Sequence, residues 1–259
     1  MTATAAPPTV RVALEKGIAT VTLDRPPLNV LTTAMLGDLE RAIRDLQTDS
    51  ELRLIVIRGA GRAFSAGVDV GEHLGDSLAP LLDAFARVAT ALIDCEVPTL
   101  SVVQGAALGG ACEIVALCDL AVAADDAKLG TPEITLGVVP PVGAAVFSAL
   151  VGLQRANALV LTGEPVSGAE AAAWGLVWRS VPMDRLEDEA RAIAEKFAGL
   201  SAASLRLAKR TIRLSARAAL GAAVAAANDE QLRSVSRIAD AQEGLRAFVE
   251  KRPPRWVHR

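Results

Sequence analysis

Histidine is scarce. The 259-residue chain has two, His73 and His258, too few for a multi-histidine metal site and poor material for a Ser–His–Asp triad. Cysteine is rare as well: Cys95, Cys112 and Cys118 are odd in number and show no C-x-x-C spacing, which predicts buried thiols in a reducing compartment rather than a disulfide framework. No apolar run is long enough to span a bilayer. The opening MTATAAPPTV lacks the basic start and apolar middle of a secretory signal, so it reads as a flexible lead-in to a cytoplasmic protein. A net charge of −3 and a pI near 5.5 give no reason to expect a nucleic-acid partner. The glycine-containing loops at 59–67 and 105–110 match neither G-x-G-x-x-G nor G-x-x-x-x-G-K-S/T, so nucleotide-fold readings lose. There is no low-complexity linker, and the one charge-rich stretch is the basic tail from Lys251 to Trp256.

What is present is apolar and small. Hydrophobic residues make up 51% of the chain and alanine leads them, which points to helices and close packing. A chain of this length buries roughly three quarters of its unfolded surface, enough for an enclosed site.

The organising stretch runs over residues 98–133. It reads as a strand at 99–103, a glycine-rich turn at 105–110, a helix carrying Glu113, a strand at 120–124 and a loop presenting Glu133. The turn delivers the backbone into a helix N-terminus, whose free N–H groups and dipole can stabilise a negative oxygen. Glu113 lies among apolar neighbours, and burial raises a carboxyl pKa. It fits a satisfied core acid as well as a catalytic one. Glu133, twenty residues on, alone reads as an ordinary exposed acid, and its case rests on the pair, because two carboxyls can divide acid and base work.

Around this stretch, strands are expected at 10–14, 18–24, 54–58 and 176–181, with a hairpin turn at 15–17. Helices are expected at 34–49, capped by Thr32 or Thr33, and at 80–94, 144–151, 155–161, 167–173, 186–198, 202–216, 220–233 and 238–250. The small residues of the loop at 59–67 allow close backbone approach to a ligand. Asp69 reads first as a cap of the turn after it, and His73 as a surface or pocket-lining residue. The recurrence of strand, strand and helix allows stacked turns as well as a flat doubly wound sheet.

Phe64-Ser65-Ala66-Gly67-Val68-Asp69, then Gly105 to Glu113, then Pro132-Glu133 and Thr162-Gly163 together resemble the crotonase (enoyl-CoA hydratase/isomerase) superfamily. Arg25-Pro26 with Asn29, Ala173-Trp174-Gly175-Leu176-Val177, and the run from Phe248 to Arg252 follow in the same order. The resemblance implies an α/β spiral of β-β-α units over residues 1–198, with a helical oligomerisation region at 199–259 that builds homotrimers, often paired into hexamers. It implies an acyl-CoA thioester substrate, no metal and no separate cofactor. By position, Ala66 and Gly110 would donate to the thioester oxygen. Gly67, Val68 and Asp69 would lie along the CoA channel, Lys251 would meet a CoA phosphate, and Glu113 and Glu133 would be the two catalytic acids of the hydratase branch.

The activity implied is addition of water to an α,β-unsaturated acyl-CoA. The alternatives are a double-bond isomerase, a cyclohexa-1,5-dienecarbonyl-CoA hydratase, and a non-catalytic acyl-CoA-binding or RNA-associated relative. One departure bears on this choice. Family hydratases usually carry glycine after the loop proline, where this chain has Pro141, which has no N–H to offer a water. Asn29-Val30-Leu31 and Val139-Pro140-Pro141 resemble the cyclic dienoyl-CoA hydratases, and Val142, Val146 and Phe147 are expected to wall the acyl pocket.

Overall fold

The computed structural model describes residues 8–214 and 217–259. Strand β1 (Val10–Glu15) pairs antiparallel with β2 (Ile18–Leu23). Lys16 and Gly17 between them take φ of 51° and 75°, the left-handed pair whose twist matches that of the flanking strands. Seven of the ten lead-in residues, 1–7, lie outside the described residues.

Helix α1 (Thr33–Leu46) starts on Thr32, whose hydroxyl accepts the Met35 N–H, one of the orphan donors of a first turn. Thr33 instead gives its own N–H and hydroxyl to Glu72, at 2.8 and 2.6 Å. Leu36, Leu39 and Ile43 form the buried face of α1. The chain then adds β3 (Leu54–Gly59), α2 (Leu78–Asp94) and β4 (Thr99–Val103). The next elements are β5 (Ala106–Leu108), α3 (Gly110–Leu117), β6 (Leu120–Ala124) and β7 (Lys128–Gly130).

After a 3-10 turn at Pro132–Leu136 come α4 (Pro141–Val151) and α5 (Leu153–Thr162), followed by β8 (Val166–Ser167), α6 (Gly168–Trp174), β9 (Arg179–Val181) and α7 (Leu186–Ala198). Helices α8 (Ala202–Arg213), α9 (Arg217–Arg237) and α10 (Ala239–Val249) finish the chain. Residues 215 and 216 of the helix expected at 202–216 lie outside the described residues.

Two sheets result. The larger runs β1-β2-β3-β4-β6-β9, parallel from β2 onward, and the smaller runs β5-β7-β8. β4 sends the chain into β5 and then α3; β6 sends it into β7 and then toward α4. β3 does the same through Ser65, which bridges Ala107 of β5 before the chain reaches α2. The turns through β4 and β6 thus lay one strand on each sheet before the next helix, so the stacked winding is the one realised. β4 is buried along its whole length, as a parallel strand covered on both faces must be.

Several boundaries moved for physical reasons. α4 begins at Pro141 rather than 144 because proline fits the first helical position, where no N–H is needed. β5 and β7, three residues each, fell inside stretches that read as turn and loop, since so short a strand shows no period. The C-terminal helices fold back over the rest of the chain. Asp119 takes Lys209 and Arg213 of α8 at 2.6 Å each, and Thr99 at 2.8 Å. α9 lies on α2 and α4, and α10 lies on the 3-10 turns at Val70–His73 and Pro132–Leu136. Among the described residues no helix is long and apolar enough to cross a membrane.

Candidate active site

The loop after β3 is held by two buried carboxamides. Asn29 donates to the carbonyls of Ala60 and Ala63 at 2.8 and 2.9 Å, and Gln104 donates to Gly59 at 2.8 Å. These bonds satisfy carbonyls that an irregular buried loop would otherwise leave orphaned. Beyond Phe64 the backbone turns at Gly67, φ 102°, where a Cβ would sit 2.7 Å from the Leu108 carbonyl. Only glycine fits there.

This turn decides which N–H is available. The Ala66 N–H donates to the Leu28 carbonyl at 2.9 Å, so the donor that the resemblance assigns to Ala66 is already engaged. The Gly67 N–H goes to Ser65 Oγ at 3.1 Å. The Gly67 carbonyl accepts from Leu31, so across the trans peptide the Val68 N–H points the opposite way. Among the described residues no acceptor takes the Val68 N–H or that of Gly110, the first residue of α3. The N–H groups left open at this turn are therefore those of Val68 and Gly110, and not that of Ala66. Gly110 also packs tightly: a Cβ there would lie 2.6 Å from Val68 Cγ2 and 2.8 Å from Phe85 Cε2.

Glu113 is 2% exposed, in the first turn of α3. Its Oε1 accepts the Gly143 N–H at 2.6 Å, so the carboxyl sits on the N-terminus of α4, where unpaired donors and the helix dipole favour negative charge. Pro140 and Pro141 carry no N–H, and the donors begin beyond them. Burial raises the Glu113 pKa to about 7, against the pull of the Gly143 and Val142 backbone donors.

Glu133 sits in the 3-10 turn rather than a plain loop. Its Oε1 lies over Gly109, where an added Cβ would be 2.6 Å away, and its Oε2 is buried without a hydrogen-bond partner. Burial raises its pKa to about 8, and the nearby Glu113 charge adds to the rise.

Ala66, Gly67, Val68, Gly110, Glu113 and Glu133 all line one cavity of about 80 Å³. Asp69 and Lys251 do not. Asp69 caps the turn after it, accepting the Gly71 N–H at 2.9 Å, and Lys251 is an exposed residue just beyond α10. Pro141 and Val139 face the cavity, whereas Val142, Val146 and Phe147, expected in its wall, are buried behind it. Sequence reasoning missed Gln231 of α9 and Leu245 of α10, which close the cavity from the C-terminal region. A glutamine at one of the few buried positions of a largely solvent-facing helix leaves no mark on composition or spacing.

Residues 13–259 match the family model described as enoyl-CoA hydratase/isomerase. The chain belongs to that family. It is 36% identical to a Mycobacterium tuberculosis protein named probable enoyl-CoA hydratase echA8, over 97% of this chain and 98% of that one. It is 35% identical to the 2,3-dehydroadipyl-CoA hydratase of Escherichia coli, over 94% and 96%. The crystal structure of an enoyl-CoA hydratase from Mycobacterium avium subsp. paratuberculosis superposes with a TM-score of 0.87 at 29% identity, covering 96% of this chain and 98% of that one. An enoyl-CoA hydratase/isomerase from Pseudoalteromonas atlantica gives 0.86 at 27%, covering 96% and 100%. Within the enoyl-CoA hydratase/isomerase family the chain falls in the hydratase branch, with the crotonase fold and a function of the hydratase type.

Proposed function

We propose that this enzyme adds water across the conjugated double bond of an α,β-unsaturated acyl-CoA thioester. The N–H groups of Val68 and Gly110 donate to the thioester oxygen, where negative charge develops as the β-carbon is attacked. Backbone donors fixed by the fold stabilise that charge without reorganising. Glu113, held by the α4 N-terminus, is the carboxylate that takes a proton from the attacking water. The water oxygen bonds to the β-carbon, the π electrons move onto the thioester oxygen, and Glu133 returns a proton to the α-carbon as the enolate collapses. Glu113 finishes protonated and Glu133 ionised, and a proton moving through the water between them resets the pair. The chemistry calls for no metal or redox cofactor, because CoA is part of the substrate.

The observation that carries this reading is the unlike pair at one helix entry: one buried carboxyl held by the backbone donors of α4, one with a buried oxygen left without a partner, both raised into the neutral range. Pairs whose environments push their proton affinities apart divide base and acid work. Crotonyl-CoA provides the test. Loss of the conjugated thioester absorbance, with product one water heavier, supports the reading. Migration of a double bond without mass gain would make the chain an isomerase, and thioester binding without turnover would make it a binding protein. The C-terminal region at 199–259 is the proposed assembly surface, since Leu207 and Ile212 of α8 and Leu214 just beyond it are apolar and exposed.

A further inference from the structure

The cavity wall is apolar except for the two acids, His73 and Gln231. Gln231 is 1% exposed, and its Oε1 accepts the Val139 N–H at 3.3 Å. That bond fixes the amide orientation and leaves the Nε2 protons without an acceptor among the described residues. His73 Nδ1 lies 3.0 Å from the Asp69 carbonyl. A carbonyl can only accept, so Nδ1 carries the proton and Nε2 presents a lone pair. Burial lowers the His73 pKa and keeps the ring neutral.

His73 and Gln231 thus bring one acceptor and one donor to a cavity of about 80 Å³, which holds little more than an acyl head. A hydroxyl satisfies both, donating to His73 Nε2 and accepting from Gln231 Nε2. A methyl or methylene leaves both unpaired, a carboxylate faces the imidazole lone pair, and a ketone uses only the glutamine. Resting on the hydratase reading, we propose that the preferred substrate is an enoyl-CoA bearing a hydroxyl on the acyl chain beyond the double bond, recognised by His73 and Gln231. Sites built to hydrogen-bond a substrate hydroxyl reject the analogue lacking it more strongly than apolar pockets reject an added one.

The test is kcat/KM for two matched pairs, 4-hydroxybut-2-enoyl-CoA against crotonyl-CoA and 5-hydroxypent-2-enoyl-CoA against pent-2-enoyl-CoA. At least one hydroxylated member is expected to win by about tenfold or more. Gln231→Leu and His73→Leu should each bring that ratio toward unity. If one variant fails to fold, the other and the wild-type ratios still decide. Equal or better turnover of both unsubstituted thioesters would overturn the inference while leaving the hydratase reading intact, as would a wild-type preference that survives both substitutions. Turnover of none of the four would overturn the hydratase reading and this inference with it.

Discussion

The surroundings of Glu113 and Glu133 differ more than their shared chemistry requires. Glu113 comes from a regular helix, is almost wholly buried and rests on the N-terminus of α4, 2.6 Å from the Gly143 N–H. Glu133 comes from a 3-10 turn, backs onto a glycine and has a buried oxygen with no partner. An unpaired buried acceptor costs about 1–3 kcal/mol, more when charged, so Glu133 is stable there mainly as the neutral acid. The donors on Glu113 offset part of its desolvation and favour the anion. The two regions show how identical side chains acquire unlike surroundings from backbone placement alone.

The strongest way to break the comparison is to remove each carboxyl in turn. Glu113→Gln and Glu133→Gln should each lower kcat by about 10²–10⁴ while still binding a product thioester by calorimetry. Either variant turning over at the wild-type rate would erase its assigned role. Next is Gly110→Val, which crowds Val68 and Phe85 and disturbs the donor at the helix entry. A loss of about 10²–10³ in kcat is expected, with unchanged circular dichroism showing that the fold survives.

Stability sharpens the comparison further. Because folding raises the Glu133 pKa from 4.5 to about 8, the folded state holds a proton that the unfolded chain has lost. Stability from this group is present below about pH 4.5 and declines as pH rises through 8. Glu133→Gln should therefore raise Tm at pH 8 by a few degrees, at about 2–4 °C per kcal/mol for a chain this size, and leave it unchanged at pH 4. Glu113→Gln should gain less, since it also disturbs the Gly143 bond. Differential scanning calorimetry at the two pH values checks the order. The smallest effect belongs to Pro141→Gly, which adds a backbone N–H at the start of α4. The acidic limb of the kcat/KM profile should move down by less than one pH unit, through extra stabilisation of the Glu113 anion.

How much of this was legible in the sequence depends on the range of the interaction. The strands at 99–103 and 120–124, the helix with Glu113 and the hairpin at Lys16-Gly17 are written in local pattern and turn chemistry, and they formed where expected. The acid pair was legible because both members sit in one stretch. The donor was not: Ala66 and Val68 are two residues apart, and a long-range bond to Leu28 decides which N–H stays open. The smaller sheet was hidden by strands too short for a period. Gln231 and Leu245 were hidden because only the return of α9 and α10 over the core brings them to the cavity.

The division of proton roles is tested most directly with a saturated thioester that cannot be hydrated. Butyryl-CoA in D₂O reports exchange at the α-carbon, a step that uses the oxyanion donors and the acid facing that carbon but no attacking water. The account predicts exchange by the wild type, retained exchange in Glu113→Gln and loss in Glu133→Gln. Exchange lost in Glu113→Gln and kept in Glu133→Gln would reverse the two roles and contradict it.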